Sequence, residues 1–459
     1  MLGGESGSAY IIHRLGKTPA FDTPGPPDPH VPDIPSVMIG VAWTPDEFVE
    51  RSLTLKHPFD SVAVEDGILR SVFTTLIRPP SATRQLREAT LAVWRDRALA
   101  LEERETELRG AVHHEVRPSI SGKRLLLFGE MLSASGFPRP SALVHKMASG
   151  FPLLGNIEAT GVFPPKTSDA SATIEDLWRN SRSLQNLAIS AMGPSSDPKL
   201  DEAVSEATQE EVGKGWLLGP FTREELSAKH GLWVPVRRFG IWQGGGSRVI
   251  DDYSEYGQNN CTSTVEKIDV GGVDVVASLA RGVLAAVVSE ERTVRVDLSD
   301  GMTHQGTLHE SWSVGDAKTL VGKVWDLSKA YRQLARAPCH ASVSIVVTWN
   351  SRSNRVEMYE QPVLPFGAKA SVWDFNWVAR GLKTILVNLF GLVVTHYFDD
   401  YPVLEFAVLE AHTQHLVDSV LELLGWDTKA QLPFSPPLRA LRGHLRHDAG
   451  YERSGTFHE

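Results

Sequence analysis

The sequence predicts a mixed α/β protein, with a sheet-forming second half covered by helices and a largely helical region before it. Three observations point there. After about residue 200, short β-rich runs alternate with helical ones. Residues 81–110 and 123–150 carry apolar residues at helical spacing. The composition is that of an ordinary folded chain, 42% hydrophobic and 22% charged over 459 residues, enough for two or three domains with proper cores.

Taken in order, residues 14–40 (RLGKTPAFDTPGPPDPHVPDIPSVMIG) are rich in Pro, Gly and Asp. Such a stretch buries too little apolar surface to order itself, so residues 1–40 are expected to be a disordered leader. The helical stretch that follows is punctuated by Gly150 and Pro152, and the polar run SSDPKLDE at 195–202 reads as a boundary. Beyond it the strand candidates are VPVRRFGIW, SRVIDD, TVRVDL, KVWDL, ASVSIVVTW, RVEMYEQPV, GLVVTHYF and PVLEF. Helical candidates lie between them at 329–336, 368–389 and 406–424.

Bulk properties narrow the function classes. The longest apolar run near the C-terminal half, Ile385 to Val394, is too short to span a bilayer. The N-terminus lacks a basic region followed by an apolar stretch, so no secretory signal is expected. Two cysteines far apart, Cys261 and Cys339, indicate neither a zinc site nor a disulfide framework. An intracellular setting, cytoplasm or nucleus, is expected. The net charge of −10 counts against a nucleic-acid binder, whose phosphate contacts need a basic surface. Local patches decide such contacts, however, and a metal-dependent site needs an acidic centre.

Two segments could place carboxylates side by side. KVWDLSKAYRQL (323–334) reads as a buried strand ending at Asp326, followed by a turn into a helix. LVVTHYFDDYPVLEF (392–406) reads as a β-hairpin with Asp399 and Asp400 at its tip. Adjacent carboxylates between apolar strands repel one another and call for a cation. Taken alone, an Asp-Asp pair is more often a solvated turn. Between the two lies QPVLPFGAKASVWDFN (361–376), where Pro365 and Gly367 mark a tight turn leading into a long helix. A glycine there allows backbone to approach a ligand closely.

Together and in this order, the three segments resemble motifs A, B and C of reverse transcriptases of retrotransposon type. Asp326, Ala330 and Tyr331 match motif A. Leu364, Pro365, Phe366, Gly367, Phe375 and Asn376 match motif B, and Tyr397, Phe398, Asp399 and Asp400 match the Y-x-D-D of motif C. The resemblance implies a right-hand polymerase fold, with fingers and a ferredoxin-like βαββαβ palm. It implies RNA-directed DNA polymerase activity on a primed RNA or DNA template with deoxynucleoside triphosphates. Asp326, Asp399 and Asp400 would hold two magnesium ions, or manganese in their place. Tyr331 would be the steric gate against a 2′-hydroxyl, with Phe366 and Gly367 lining the substrate side. Upstream, RRFGIWQGGGSRVIDDYSEYGQNN (237–260) resembles the fingers pattern, with Arg248 expected on the incoming triphosphate and Asp252 and Tyr253 at matching spacing. Asn259 and Asn260 sit further along than in many members. Downstream, LELLGWDTKAQLPF (421–434) resembles motif D, which makes Lys429 the candidate proton donor to pyrophosphate. RALRGHL (439–445) loosely resembles motif E, but Arg442 departs from its usual pattern and no role is carried over.

Other residues carry competing readings. Arg237 and Arg238 are either template or triphosphate contacts or surface charges. TVRVDLSDG (293–301) also runs strand, Asp, Leu, Ser, yet it lacks the Ala-Tyr that follows Asp326, so Asp297 and Asp300 are assigned to an extra hairpin. His304, His309, His444 and His447 read as surface histidines. Trp233 and Trp242 read as core residues before stacking platforms.

The resulting division is a leader (1–40), a helical extension (41–200), fingers (201–290), an insert (291–322), a palm with motifs A to D (323–433) and the start of motif E and a truncated thumb (434–459). Two rivals stand beside the polymerase. A viral RNA-dependent RNA polymerase would carry Asp in place of Tyr331 and G-D-D in motif C. A decayed or domesticated polymerase fold would bind nucleic acid or a partner without catalysis.

Overall fold

The computed structural model describes residues 63–288, 291–429 and 433–435, and the backbone of three strands nearer the N-terminus. The chain divides into two units, Met1–Ala63 and Val64–Glu459.

In the first unit, Ala9–Leu15 pairs antiparallel with Ser36–Ala42 and with the short Leu2–Gly3. This corrects the expectation of a leader disordered throughout. The Pro-rich composition averages over two β-rich runs, AYIIHRL and SVMIGVA, whose residue types suit a strand. Residues 16–35 lie outside the described residues, as do the motif E segment, His444 and His447.

The second unit is mixed α/β. Its helices begin with Asp66–Leu76 and Pro80–Ala111, the latter opened by a proline at its first turn, where no backbone N–H is needed. Leu125–Ala134 and Pro140–Ser149 follow. The buried Glu105 carboxylate accepts the N–H groups of Leu125, Leu126 and Leu127 at 2.8–3.1 Å, filling the orphan donors of that helix start. Ile68, Leu91, Leu101, Phe128 and Leu132 share one hydrophobic core with Trp325, Phe375, Val403 and Leu421.

Two sheets matter for the site. A five-stranded sheet runs in the order Leu218–Phe221, Arg355–Glu360, Ile345–Asn350, Pro235–Gln243, Gly246–Asp252. A smaller antiparallel sheet has Asp400–Phe406 between Leu320–Asp326 and Val393–Val394. Beside Leu320–Asp326 the chain returns, with antiparallel bridges at Leu327–Thr428 and Gly322–Ser435. The long helix Lys369–Asn388 precedes Val393–Val394 in the chain, and Glu410–Leu424 follows Asp400–Phe406. The expected helix at 329–336 is a short 3-10 turn, Ala330–Gln333, entered through Lys329 at φ 50°. Thr293–Asp297 and Thr303–Thr307 form the predicted hairpin.

No helix among the described residues is long and apolar enough to cross a membrane.

Candidate active site

Asp326 is the last residue of its strand and faces Asp400, the first of the neighbouring one, in direct register. The preceding turn is tight: Tyr397 and Asp400 exchange backbone hydrogen bonds of 2.8 and 3.0 Å around Phe398, which sits at φ 52°. The Leu327 N–H donates to the Asp399 carbonyl at 3.2 Å. Strand pairing thus brings all three aspartates to one end of the sheet. Only the Val393–Val394 part of the expected first hairpin strand is regular.

The electrostatics of this end are unfavourable for anions. Burial, then the charge of Asp400 and that of Asp326, push the Asp399 carboxyl up to about 7, against the pull of Lys429. Asp326 Oδ1 is buried without a hydrogen-bond partner. Asp326 Oδ2 accepts from the Lys429 ammonium at 2.5 Å, and the Lys429 N–H donates to the Asp326 carbonyl at 2.9 Å. Burial alone would lower Lys429, but its hydrogen bond and ion pair with Asp326 hold it above the usual lysine value. A bare oxygen and a repelled carboxyl, all hard oxygen donors, suit magnesium. The three are not a closed cage. Among the described residues, a tighter group of ligand atoms, within 4.8 Å of one another, is His113, His114 and Glu115. That group is already engaged: Glu115 binds Arg336 at 2.8 Å, and His113 Nδ1 accepts the Glu115 N–H.

Beside the carboxylates stands a row of rings. Tyr331 is buried, stacks on Phe375 at 4.5 Å between centroids, and meets Phe366 edge-on at 5.1 Å. Phe366 is exposed, and the Arg248 guanidinium lies 5.0 Å from its ring. Arg248 also donates to Gln243 Oε1 at 3.0 Å. Burial, then the charge of Asp399, raise the Tyr331 phenol, so it stays neutral. Gly367 is required by close approach: a Cβ there would lie 1.9 Å from the Asp251 carbonyl oxygen.

Two residues play parts that spacing does not disclose. Asn259 donates to the Gly367 carbonyl at 3.1 Å and accepts the Lys369 N–H at 2.7 Å, so it fastens the turn and starts the long helix at once. Arg238 is not a template contact. It is buried and held by Asp251 at 2.7 Å and Glu211 at 2.7 Å, with Arg332 on the same two carboxylates. Burial opposes ionisation of Asp251, and Arg238 overrides it, keeping the carboxyl well below its usual range. Arg237 is a surface residue 3.3 Å from Glu255. Trp233 is core, and Trp242 is exposed with its indole N–H on Asp197 at 2.7 Å.

A cleft of about 740 Å³ lies beside the segment leading to Lys429, lined by Lys123, Trp216, Lys229, Gln333, Trp426 and Thr428 among others, and by none of the three aspartates. Size alone does not make it the reacting site.

No protein-family profile matches the chain, and no curated protein matches it. Among solved structures, the protease–reverse transcriptase of prototype foamy virus matches with a TM-score of 0.33 and 14% identity, covering 62% of this chain and 27% of that one. The chain therefore spans about a quarter of that structure's length. At that level of likeness, function has to be argued from the residues themselves.

Proposed function

We propose that the chain is an RNA-directed DNA polymerase that adds deoxynucleotides to a primer on an RNA or DNA template. The observation that carries this reading is the register of Asp326 against Asp400, with Asp399 beside them and the Lys429 ammonium on Asp326. Phosphoryl transfer needs little covalent help and much positioning and charge neutralisation. Asp326, Asp399 and Asp400 would hold the divalent ions, magnesium or manganese. When bound, the two ions supply electrostatic stabilisation of the attacking and leaving oxygens.

The chain's own groups account for the rest. Arg248, at the edge of the five-stranded sheet, offers a guanidinium fork to the triphosphate. Arg248 contacts Phe366 and Phe366 contacts Tyr331, which supports neighbouring phosphate and sugar subsites in this reading. Tyr331, stacked on Phe375, would exclude a 2′-hydroxyl by contact. Lys429, paired with Asp326, would give the leaving pyrophosphate a proton. The sheet order, with the returning chain bridged at Thr428 and Ser435, supports a ferredoxin-like palm. The five-stranded sheet with Arg248 then corresponds to fingers.

Primer extension tests this. Purified protein, a primed RNA template, magnesium and deoxynucleotides should give extension that Asp399→Asn abolishes. Preference for ribonucleotides would overturn the gate assignment. Absence of extension by a folded protein would favour a polymerase fold that binds a partner without catalysis, a reading to which the net charge of −10 lends weight.

A further inference from the structure

The loop that carries Lys429 is held by residues the mechanism has not used. The helix Glu410–Leu424 ends at Gly425, in the left-handed region at φ 79°. A Cβ at Gly425 would lie 1.9 Å from the Gly122 carbonyl oxygen, so the helical layer before residue 154 packs its backbone directly on this turn. Arg124 completes the helix end: its guanidinium donates to the Leu423 carbonyl at 2.7 Å.

Between these two backbones sits Lys123, 4% exposed. Its ammonium donates to the Gly425 carbonyl at 3.0 Å and to Gln333 Oε1 at 3.2 Å, and lies 3.8 Å from the Trp426 ring centroid. Gln333 is the hub. Its Oε1 also accepts the Asp427 N–H at 3.0 Å, while its Nε2 donates to the Asp427 carbonyl and the Ser328 carbonyl, both at 2.9 Å. The Ser328 N–H donates to the same Asp427 carbonyl at 2.8 Å. One side-chain amide therefore satisfies both the N–H and the carbonyl of Asp427, two residues before Lys429, and ties them to Ser328, two residues after Asp326. Burying an amine is costly, and burial pulls Lys123 down to about 7 against the charge of Asp427. A methionine would fill the same space without that cost, so the amine is more than filler.

We propose that Lys123 and Gln333 are positioning residues that hold the Gly425–Lys429 loop in register with Asp326, so that the helical layer of the chain sets the reach of Lys429. The catalytic consequence rests on the polymerase reading; the clamp itself does not.

Two measurements test it. Hydrogen exchange of the segment 423–429 in the absence of substrate should accelerate about tenfold or more in Lys123→Met and in Gln333→Met, with the strand Asp400–Phe406 unchanged. Gln333→Glu keeps the acceptor and loses the donor, and should fall between. Unchanged exchange in variants that melt cooperatively would overturn the clamp. In single-nucleotide incorporation, Lys123→Met should lower kcat about tenfold and leave KM for the nucleotide within about threefold. In a Lys429→Met background the same substitution should cost nothing further. An equal loss in both backgrounds would show that Lys123 does not act through Lys429. If the unaltered protein makes no product, the polymerase reading fails by its own test and the exchange measurement alone decides the clamp.

Discussion

Two strands of this molecule run into the same tripeptide, Asp-Leu-Ser, and the two aspartates meet opposite surroundings. Asp297 ends Thr293–Asp297 on a 63% exposed side chain. It is well supplied with donors: Thr303 donates to it at 2.6 Å and Arg295 at 3.0 Å, and these hydrogen bonds hold its carboxyl below the usual value. Asp326 ends Leu320–Asp326 with a side chain 17% exposed, one oxygen buried without a partner, and Asp400 directly across the sheet. Local sequence makes the same strand end twice. Only the second lies against another strand that also begins with a carboxylate. The candidate site is thus marked by the unpartnered oxygen of Asp326 and the repelled carboxyl of Asp399 as well as by the motif letters.

The sharpest way to break this comparison is to neutralise each aspartate in turn. Asp326→Asn should reduce single-nucleotide incorporation by about a thousandfold or more, the scale expected when a group stabilising phosphoryl transfer is lost. Asp297→Asn should leave the rate within about twofold. A comparable loss in Asp297→Asn, with folding intact by circular dichroism, would mean that the hairpin at 293–307 belongs to the site, and an unchanged rate in Asp326→Asn would mean that the assignment of Asp326 is wrong.

A second contrast lies in what holds each strand. Asp400–Phe406 is braced from the helical layer: Arg87 binds Glu405 at 2.7 Å, both side chains 5% exposed or less, and also donates to the carbonyls of Phe390 and Gly391. Thr293–Asp297 carries instead the exposed pair of Arg295 with Asp297. Removing one partner of a buried pair strands the other charge, so Arg87→Met should cost about 3–5 kcal/mol in denaturant unfolding. Arg295→Met should change stability by less than about 0.5 kcal/mol. A small effect at Arg87 would mean that the helical layer is not integral to the carboxylate sheet.

That bracing is where sequence reading stops. Strand and helix existence follows from short-range pattern, and most expected runs are present, from Pro235–Gln243 to Glu410–Leu424. The carboxylates and Gly367 are legible because turn and motif spacing are local properties. Arg87 with Glu405, separated by 318 positions, and Lys123 with Gln333, by 210, are not local, and helical periodicity does not say which sheet a face will cover. Arg238 misleads because a basic residue on a strand looks the same whether it faces solvent or Asp251 and Glu211. Asn259 looks displaced by its spacing in the chain, yet its amide reaches Gly367 across 108 positions.

The subtlest contrast is in acid–base behaviour, where the two strand ends should respond with opposite sign. With Asp399 pushed up to about 7, the native state keeps a proton that the unfolded chain has already released above its ordinary carboxyl value. Stability from this group therefore falls as pH rises from about 4 to about 7, and the full penalty is present above that window. Asp399→Asn removes the penalty. Measured without divalent ions, its stability relative to the unaltered protein should improve with pH by on the order of 4 kcal/mol across that window. Asp297, held below its ordinary value, contributes in the other direction: its stabilisation is present above the unfolded carboxyl value and is lost as pH falls through the lowered one. Asp297→Asn should thus lose ground to the unaltered protein as pH rises through the acid range, by a small amount at so exposed a position. Magnesium in excess should raise the melting temperature of the unaltered protein at about pH 7.5 and leave Asp399→Asn nearly where it was. A magnesium effect of equal size in both would mean that the repulsion at Asp399 is not what a cation relieves.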